Sequence, residues 1–237
     1  MEPYYYLLLD LFTISFPLVR SFEHRIQYAR KWKALFPAIL ITGAFFVIWD
    51  VVFTARGVWG FNSRYLIGTD IINLPLEEWL FFIVVPFSCV FIYECVKYFK
   101  KPELWPKTGR RIGLALAIFL LVIGILNIGK AYTSFTFLAL AAFLLMHVFV
   151  FKSQYLGTFF FSYSLILIPF LMINGILTGS FIEGEIVWYN DAENLGIRIF
   201  TIPIEDTFYG MLLILMNVSI YENIMDYFSA KKRVLSN

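Results

Sequence analysis

Residues 73–82 read NLPLEEWLFF and residues 201–210 read TIPIEDTFYG. Aligned at an offset of 128 residues, each stretch has a small polar residue (Asn73, Thr201) two positions before a proline. Each also has a carboxylate pair starting two positions after that proline, Glu77-Glu78 and Glu205-Asp206. The agreement extends outward. Gly68 and Gly196 stand seven residues before the prolines, Trp59 and Trp188 precede both glycines, and Tyr93-Glu94 and Tyr221-Glu222 follow at matching distances. Coincidence at so many fixed positions marks an internal repeat. Asn73 and Thr201 are expected to cap the helices that the prolines open.

The chain around these stretches belongs in a bilayer. Of its 237 residues 60% are hydrophobic and only 15% charged, with a mean hydropathy of +0.75; soluble domains run at about 45–50% and about 25%. Apolar runs at 4–19, 35–54, 75–97, 112–129, 132–151, 156–178 and 200–225 predict seven spans. The first is short and contains Asp10. The expected fold is an all-α membrane protein: a first three-helix repeat over 1–98, a connector helix over 111–130 and a second three-helix repeat over 131–228. Three spans reverse sidedness and the fourth restores it, so the two repeats run parallel and both carboxylate pairs lie at one depth.

The basic residues orient this scheme. Fifteen of the nineteen fall on one side, including Arg25, Arg30, Lys31, Lys100, Lys101, Arg110, Lys232 and Arg233; only Arg56, Arg64, Lys130 and Arg198 fall on the other. The positive-inside rule then predicts a cytoplasmic-membrane protein with its N-terminus outside and its C-terminus in the cytoplasm. Both carboxylate pairs would sit near the extracytoplasmic end.

Several functions are disfavoured. A net charge of +2 without a long basic block argues against nucleic-acid partners. Cys89 and Cys95 lie on one apolar segment, and His24 and His147 are too few for a multi-histidine metal site, so neither a disulfide framework nor a metal is expected. No G-x-G-x-x-G occurs, which leaves no dinucleotide cofactor expected. Met1-Glu2-Pro3 lacks the basic start of a cleaved signal peptide.

The carboxylates carry the chemistry. Acidic residues in a first helical turn also offset the macrodipole, but carboxyls placed twice at a hydrocarbon boundary point to function. Two neighbouring carboxyls in an apolar setting cannot both ionise comfortably, so a proton is retained and an acid and a base stand side by side. Trp49, Trp79, Phe81, Phe82, Phe208 and Tyr209 lie nearby and can present ring faces to a cation. Phe81 and Tyr209 hold the same repeat position, four residues after Glu77 and Glu205. Asp50 and Asn174 approach the same end and are candidate supports. Tyr93-Glu94 and Tyr221-Glu222, roughly 24 Å away, read as structural anchors, and His147 as a packing residue. The acidic stretch Glu183, Glu185, Asp191, Glu193 reads as a solvated loop.

The strings LPLEEWLFFIVVPF (74–87) and IPIEDTFYGMLLILMNVSIYE (202–222) resemble the repeated motifs of the integral-membrane lycopene cyclases, which occur as two-subunit enzymes, as fused chains and as one domain of bifunctional fungal proteins. The resemblance spans nearly the whole chain and fits the fused form. It implies redox-neutral cyclisation of the acyclic ends of lycopene, normally to β-rings, without a cofactor, and an isomerase of the intramolecular lyase kind. Carried onto this sequence, the acid–base candidates are Glu77, Glu78, Glu205 and Asp206, with Asp where the first motif has Glu. Lycopene or a related acyclic carotenoid, the lipid bilayer and other carotenoid enzymes are the implied partners. The rival reading is a proton-coupled transporter of SWEET-like parallel-repeat architecture. A retinal protein is disfavoured because the last span has no lysine.

Overall fold

The computed structural model describes residues 2–100 and 104–235; Lys101, counted in the charge asymmetry, lies outside the described residues, as do the side chains of Lys232 and Arg233. Among the described residues, seven long helices run in order: α1 (Tyr5–Arg20), α2 (Trp32–Ala55), α3 (Leu76–Phe99), α4 (Pro106–Leu126), α5 (Ala131–Leu145), α6 (Leu156–Leu177) and α7 (Ile204–Leu235). Six of them are long and apolar enough to cross a membrane. The exception is α1, whose 16 residues reach about 24 Å against a hydrocarbon core of about 30 Å; α5 reaches spanning length through the helical turn that continues it to Val150. The expectation of seven spans therefore meets six helices of spanning length and one short helix.

Most of the spanning helices are apolar all round, so one face enters the core and the other meets hydrocarbon. Ile41, Ile48, Ile118, Val122, Ile125, Ile168 and Met172 stand exposed on that outer face. The packing partners recur between the halves: α1 lies on α3 as α5 lies on α7, and α2 lies on α7 as α6 lies on α3. Helix α4 packs against α5 and α6. Where α4 approaches the start of α6, Gly109 and Gly157 bring two backbones together. A Cβ on Gly157 would overlap the Leu104 carbonyl oxygen. Small residues permit such approaches in membranes. Gly157→Ala is therefore expected to cost about 1–3 kcal/mol, read as an earlier thermal transition in detergent.

Among the described residues, one end of the bundle carries six short strands: β1 (Trp59–Phe61), β2 (Asp70–Ile71), β3 (Leu74–Pro75), β4 (Val187–Tyr189), β5 (Arg198–Ile199) and β6 (Ile202–Pro203). β2 pairs with β3 and β5 with β6 as tight hairpins leading into α3 and α7. Their backbones repeat: Gly68 and Gly196 have φ of 80° and 70°, and Ile72 and Phe200 have 64° and 57° at the hairpin tips. β1 and β4 pair antiparallel with Gly60 opposite Trp188, so a repeat position faces its own copy. The Trp188 ring occupies the space a Gly60 side chain would need. Asn73 and Thr201 do not cap helices as expected. No side chain caps α3. Asn73 donates to the Val51 carbonyl of α2 (2.9 Å), and the Thr201 hydroxyl bonds Thr178 (2.7 Å) and the Gly175 carbonyl of α6 (3.3 Å). Both residues tie a hairpin to the end of a neighbouring helix.

At the opposite end the halves exchange hydrogen bonds. The Tyr93 hydroxyl donates to Glu222 (2.8 Å) and the Tyr221 hydroxyl to Glu94 (2.9 Å). Lys97 joins Glu222 at 2.5 Å and Lys31 pairs with Glu94. His147 sits in a wide π-type turn over Met146–Val150 with Ser153 on Nδ1 (2.7 Å) and Ser219 on Nε2 (2.9 Å). These groups are anchors at the far end of the bundle from the hairpins.

Candidate active site

Consecutive helical residues point about 100° apart, and this divides each carboxylate pair. The first member turns back into its own loop. Glu77 Oε1 accepts from the Ile67 amide at 2.8 Å, and Glu205 Oε1 accepts from the Leu195 amide at 2.7 Å and the Thr133 hydroxyl at 2.6 Å. In both halves the donor amide directly precedes the glycine of positive φ, a conformation other residues adopt only at a cost. The spacing from glycine through proline to carboxylate thus describes one loop clamp made twice. Glu77→Leu and Glu205→Leu would each strand a half-buried amide and are expected to lose about 1–3 kcal/mol of stability, measured by thermal unfolding. Glutamine at either position should restore most of the loss, because it keeps an acceptor oxygen.

The second member faces the centre. Glu78 Oε2 accepts from the Tyr6 hydroxyl of α1 at 2.6 Å. Asp50 of α2 is also buried and faces the same small cavity as Glu78, and its Oδ2 has no hydrogen-bond partner among the described residues. Two buried carboxyls facing one small space disfavour double ionisation, so retention of one proton between them costs less than two charges. Asp50 is otherwise held by the Trp59 indole N–H (2.5 Å) and the Thr54 hydroxyl (3.1 Å), both on Oδ1.

Asp206 is surrounded differently. The Tyr132 hydroxyl donates to Oδ1 at 2.5 Å, while the Asn174 amide (2.6 Å) and the Tyr189 hydroxyl (3.0 Å) donate to Oδ2. Burial, and then the neighbouring Asp206 charge, hold the Tyr189 phenol on β4 well above its ordinary range, so it serves as a neutral donor. Three neutral donors around two oxygens are the surroundings of a carboxylate anion. The first half therefore offers two buried carboxyls, Glu78 and Asp50, with an Asp50 oxygen that no donor meets, and the second a single carboxylate held by three donors.

Glu78, Asp50 and Asp206 line one cavity with Tyr6, Trp59, Phe61, Phe81, Tyr132, Phe170, Tyr189 and Tyr209. Its free volume is ≈ 50 Å³, room for a few waters at most. Beside it lies an apolar groove of ≈ 350 Å³ between α1, α3 and α6. Phe81, Phe170, Asn174 and Leu177 line both spaces. Phe12 and Phe16, both largely exposed, form the outer lip.

Of the six rings named from the sequence, Phe81 and Tyr209 line the cavity. Each stands three residues after the cavity-facing carboxylate. Trp79 and Phe82 instead line a separate apolar surface between α2 and α3, and Phe208 packs on Phe137 at 4.9 Å. Trp49 lies among Phe46, Phe53, Phe135 and Tyr209. Asn174 donates to Asp206, and Asp50 lines the same cavity as Glu78 and Asp206. Tyr6, Tyr132 and Tyr189 were not singled out from sequence; each belongs to an element distant in sequence from its carboxylate. Glu193 corrects the solvated-loop expectation, because its carboxylate accepts from the Ala131 amide at the start of α5 (2.9 Å).

A family profile described as Lycopene cyclase matches residues 3–96 and 129–224. The two matched stretches take in both carboxylate motifs and most of the chain. The chain belongs to the lycopene cyclase family. No curated protein and no solved structure matches it. Membership makes this an integral membrane enzyme of carotenoid cyclisation, working on a carotenoid substrate in a lipid environment. The transporter reading draws no support from this match.

Proposed function

We propose that the protein is a lycopene β-cyclase, an isomerase of the intramolecular lyase kind, whose two halves are parallel three-helix repeats (1–98 and 131–228) joined by a connector helix (111–130). On this reading α1 completes seven helices, the N-terminus lies outside the cytoplasmic membrane, and the hairpins face the extracytoplasmic side. The observation that carries the proposal is the placing of the buried Glu78 and Asp50 carboxyls and the three-donor Asp206 around one ring-lined cavity. Other carotenoid enzymes fit as neighbours through the shared bilayer.

Glu78 is the acid. It transfers its proton to the terminal alkene of the substrate, leaving the positive charge on a tertiary carbon. The neighbouring alkene attacks that carbon and closes a six-membered ring, moving the charge to a second tertiary carbon. Asp206 then takes a ring proton, and the electron pair of that C–H bond becomes the ring double bond. One proton enters and one leaves, so product and substrate are isomers and no oxidant or reductant is consumed. Asp50 holds the proton on Glu78 in position before transfer and shares the resulting charge after it. The faces of Phe81, Tyr209, Trp59 and Phe170 stabilise the cation where water would quench it.

The groove between α1, α3 and α6 supplies the route. It is apolar, opens at Phe12 and Phe16, and meets the cavity at Phe81 and Phe170. A substrate end passes from the bilayer along it, and the two junction rings move aside because the cavity is otherwise too small. Expression in a lycopene-accumulating bacterium tests the assignment: chromatography should show pigments carrying β-rings. Unchanged lycopene, with the protein present in the membrane fraction, would reject it.

A further inference from the structure

The three donors around Asp206 are shared unequally between its oxygens. A carboxylate offers about four lone-pair sites, two on each oxygen. The Asn174 amide at 2.6 Å and the Tyr189 hydroxyl at 3.0 Å both meet Oδ2, while Tyr132 alone meets Oδ1, at 2.5 Å. Among the described residues, Oδ2 is therefore full and the open site lies on Oδ1. The Tyr132 and Tyr189 rings stack at 5.7 Å, which holds each hydroxyl on its own oxygen. Asn174 lines both the cavity and the apolar groove, so it covers Oδ2 where the two spaces meet. Asp50 lines the cavity from α2 as Asn174 does from α6, but an amide offers N–H donors that no change of pH removes.

We infer that Oδ1 of Asp206 takes the ring proton, and that Asn174 and Tyr189 are positioning residues that set the place of the ring double bond by closing Oδ2. This rests on the cyclase reading. After ring closure the cationic carbon has three neighbours that carry hydrogen: the ring carbon bearing the polyene, a ring methylene and a methyl group. Loss of a proton from the first puts the double bond in conjugation with the polyene and gives a β-ring. Loss from the second gives an ε-ring, and loss from the third an exocyclic double bond. In each case the C–H electron pair becomes the new π bond and the proton passes to a carboxylate oxygen, so the three products are isomers. All three hydrogens lie close together around one carbon, and a base with both oxygens open can reach more than one of them. A base with one open site is confined to one. Hydrogen bonds to an ionised acceptor are short and strong, so the donors on Oδ2 keep it closed while the cation is present.

The experiment expresses the full chain in a lycopene-accumulating bacterium, and chromatography with NMR of the recovered pigments locates each ring double bond. Asn174→Leu, similar in volume but without the donor, should raise the share of ε- and exocyclic rings by about tenfold or more over wild type, because a hydrogen bond to a charged group is lost. Tyr189→Phe keeps the ring stack and opens the other site on Oδ2, and should shift the product in the same direction. Tyr132→Phe opens a second site on Oδ1 and should leave the double bond where it was, whatever it does to the rate. Unchanged β-rings from both Oδ2 variants overturn the assignment and leave the cyclase reading intact. The same mixture from all three variants does so too, since a loosened cavity would treat them alike. So does loss of all cyclisation by both Oδ2 variants with the protein present in the membrane fraction, because an opened site adds a route without removing one. Wild-type protein that leaves lycopene unchanged removes the cyclase reading itself.

Discussion

Glu78→Gln should lower ring closure by about 10²–10⁴-fold while the protein still inserts and folds. Glutamine keeps an acceptor for the Tyr6 hydroxyl and fills the same volume, so the hydrogen bond at 2.6 Å survives in form. What disappears is the carboxylic proton that the proposed reaction takes from Glu78. Every later event depends on that proton, so recovered pigment should be unreacted lycopene, without partly processed species. In deuterated water the wild-type protein should place one deuterium in each new ring, because the proton delivered to the alkene comes from an exchangeable carboxyl. Near-normal rates from Glu78→Gln would remove this residue from the acid role.

Asp206→Asn should fail at the other end of the reaction. The amide oxygen can stand in for Oδ1, keeping the Tyr132 bond, or for Oδ2, keeping those from Tyr189 and Asn174, and the amide N–H2 then faces the donors of the other position. A neutral amide cannot take up the ring proton. Turnover should fall by about 10²–10⁴-fold, and the residual pigment should change in kind as well as amount. A cation that forms without its base loses a different proton or captures water, giving altered double-bond positions or hydroxylated rings. Mass spectrometry and chromatography of the residual product separate this outcome from that of Glu78→Gln. Identical product patterns from the two variants would sink the division of labour.

The bilayer fold and the doubled motif were readable from sequence because each depends on local pattern: apolar length for the spans, and fixed spacing for the repeat. The division within each carboxylate pair was hidden. Glu77 and Glu78 are chemically alike, and only the path of the preceding loop decides which one meets the Ile67 amide. The ring assignments show the same limit. Phe81 and Phe82 are adjacent, yet helical rotation sends one to the cavity and the other to the α2 side. Tyr132 and Tyr189 could not be placed at all, since their stacking at 5.7 Å and their shared hold on Asp206 join the start of α5 to a strand 57 residues later. One signal was present and unused: Tyr189 follows Trp188, itself a repeat position. The shortness of α1 was visible, and buried Asp10 is part of why its run reads as weak.

The exchanged bonds at the basic end have a consequence for assembly. Each half carries one Tyr-Glu pair, giving a donor to the other half and receiving one back. A contact of that form is isologous and would close a twofold dimer of two identical half-length chains. Two copies of the first half could therefore associate, and so could two of the second. Neither self-pair would join Glu78 to Asp206. On the proposed division of acid and base, covalent fusion through α4 keeps one of each, and the linker guards against well-formed dimers that hold two acids or two bases.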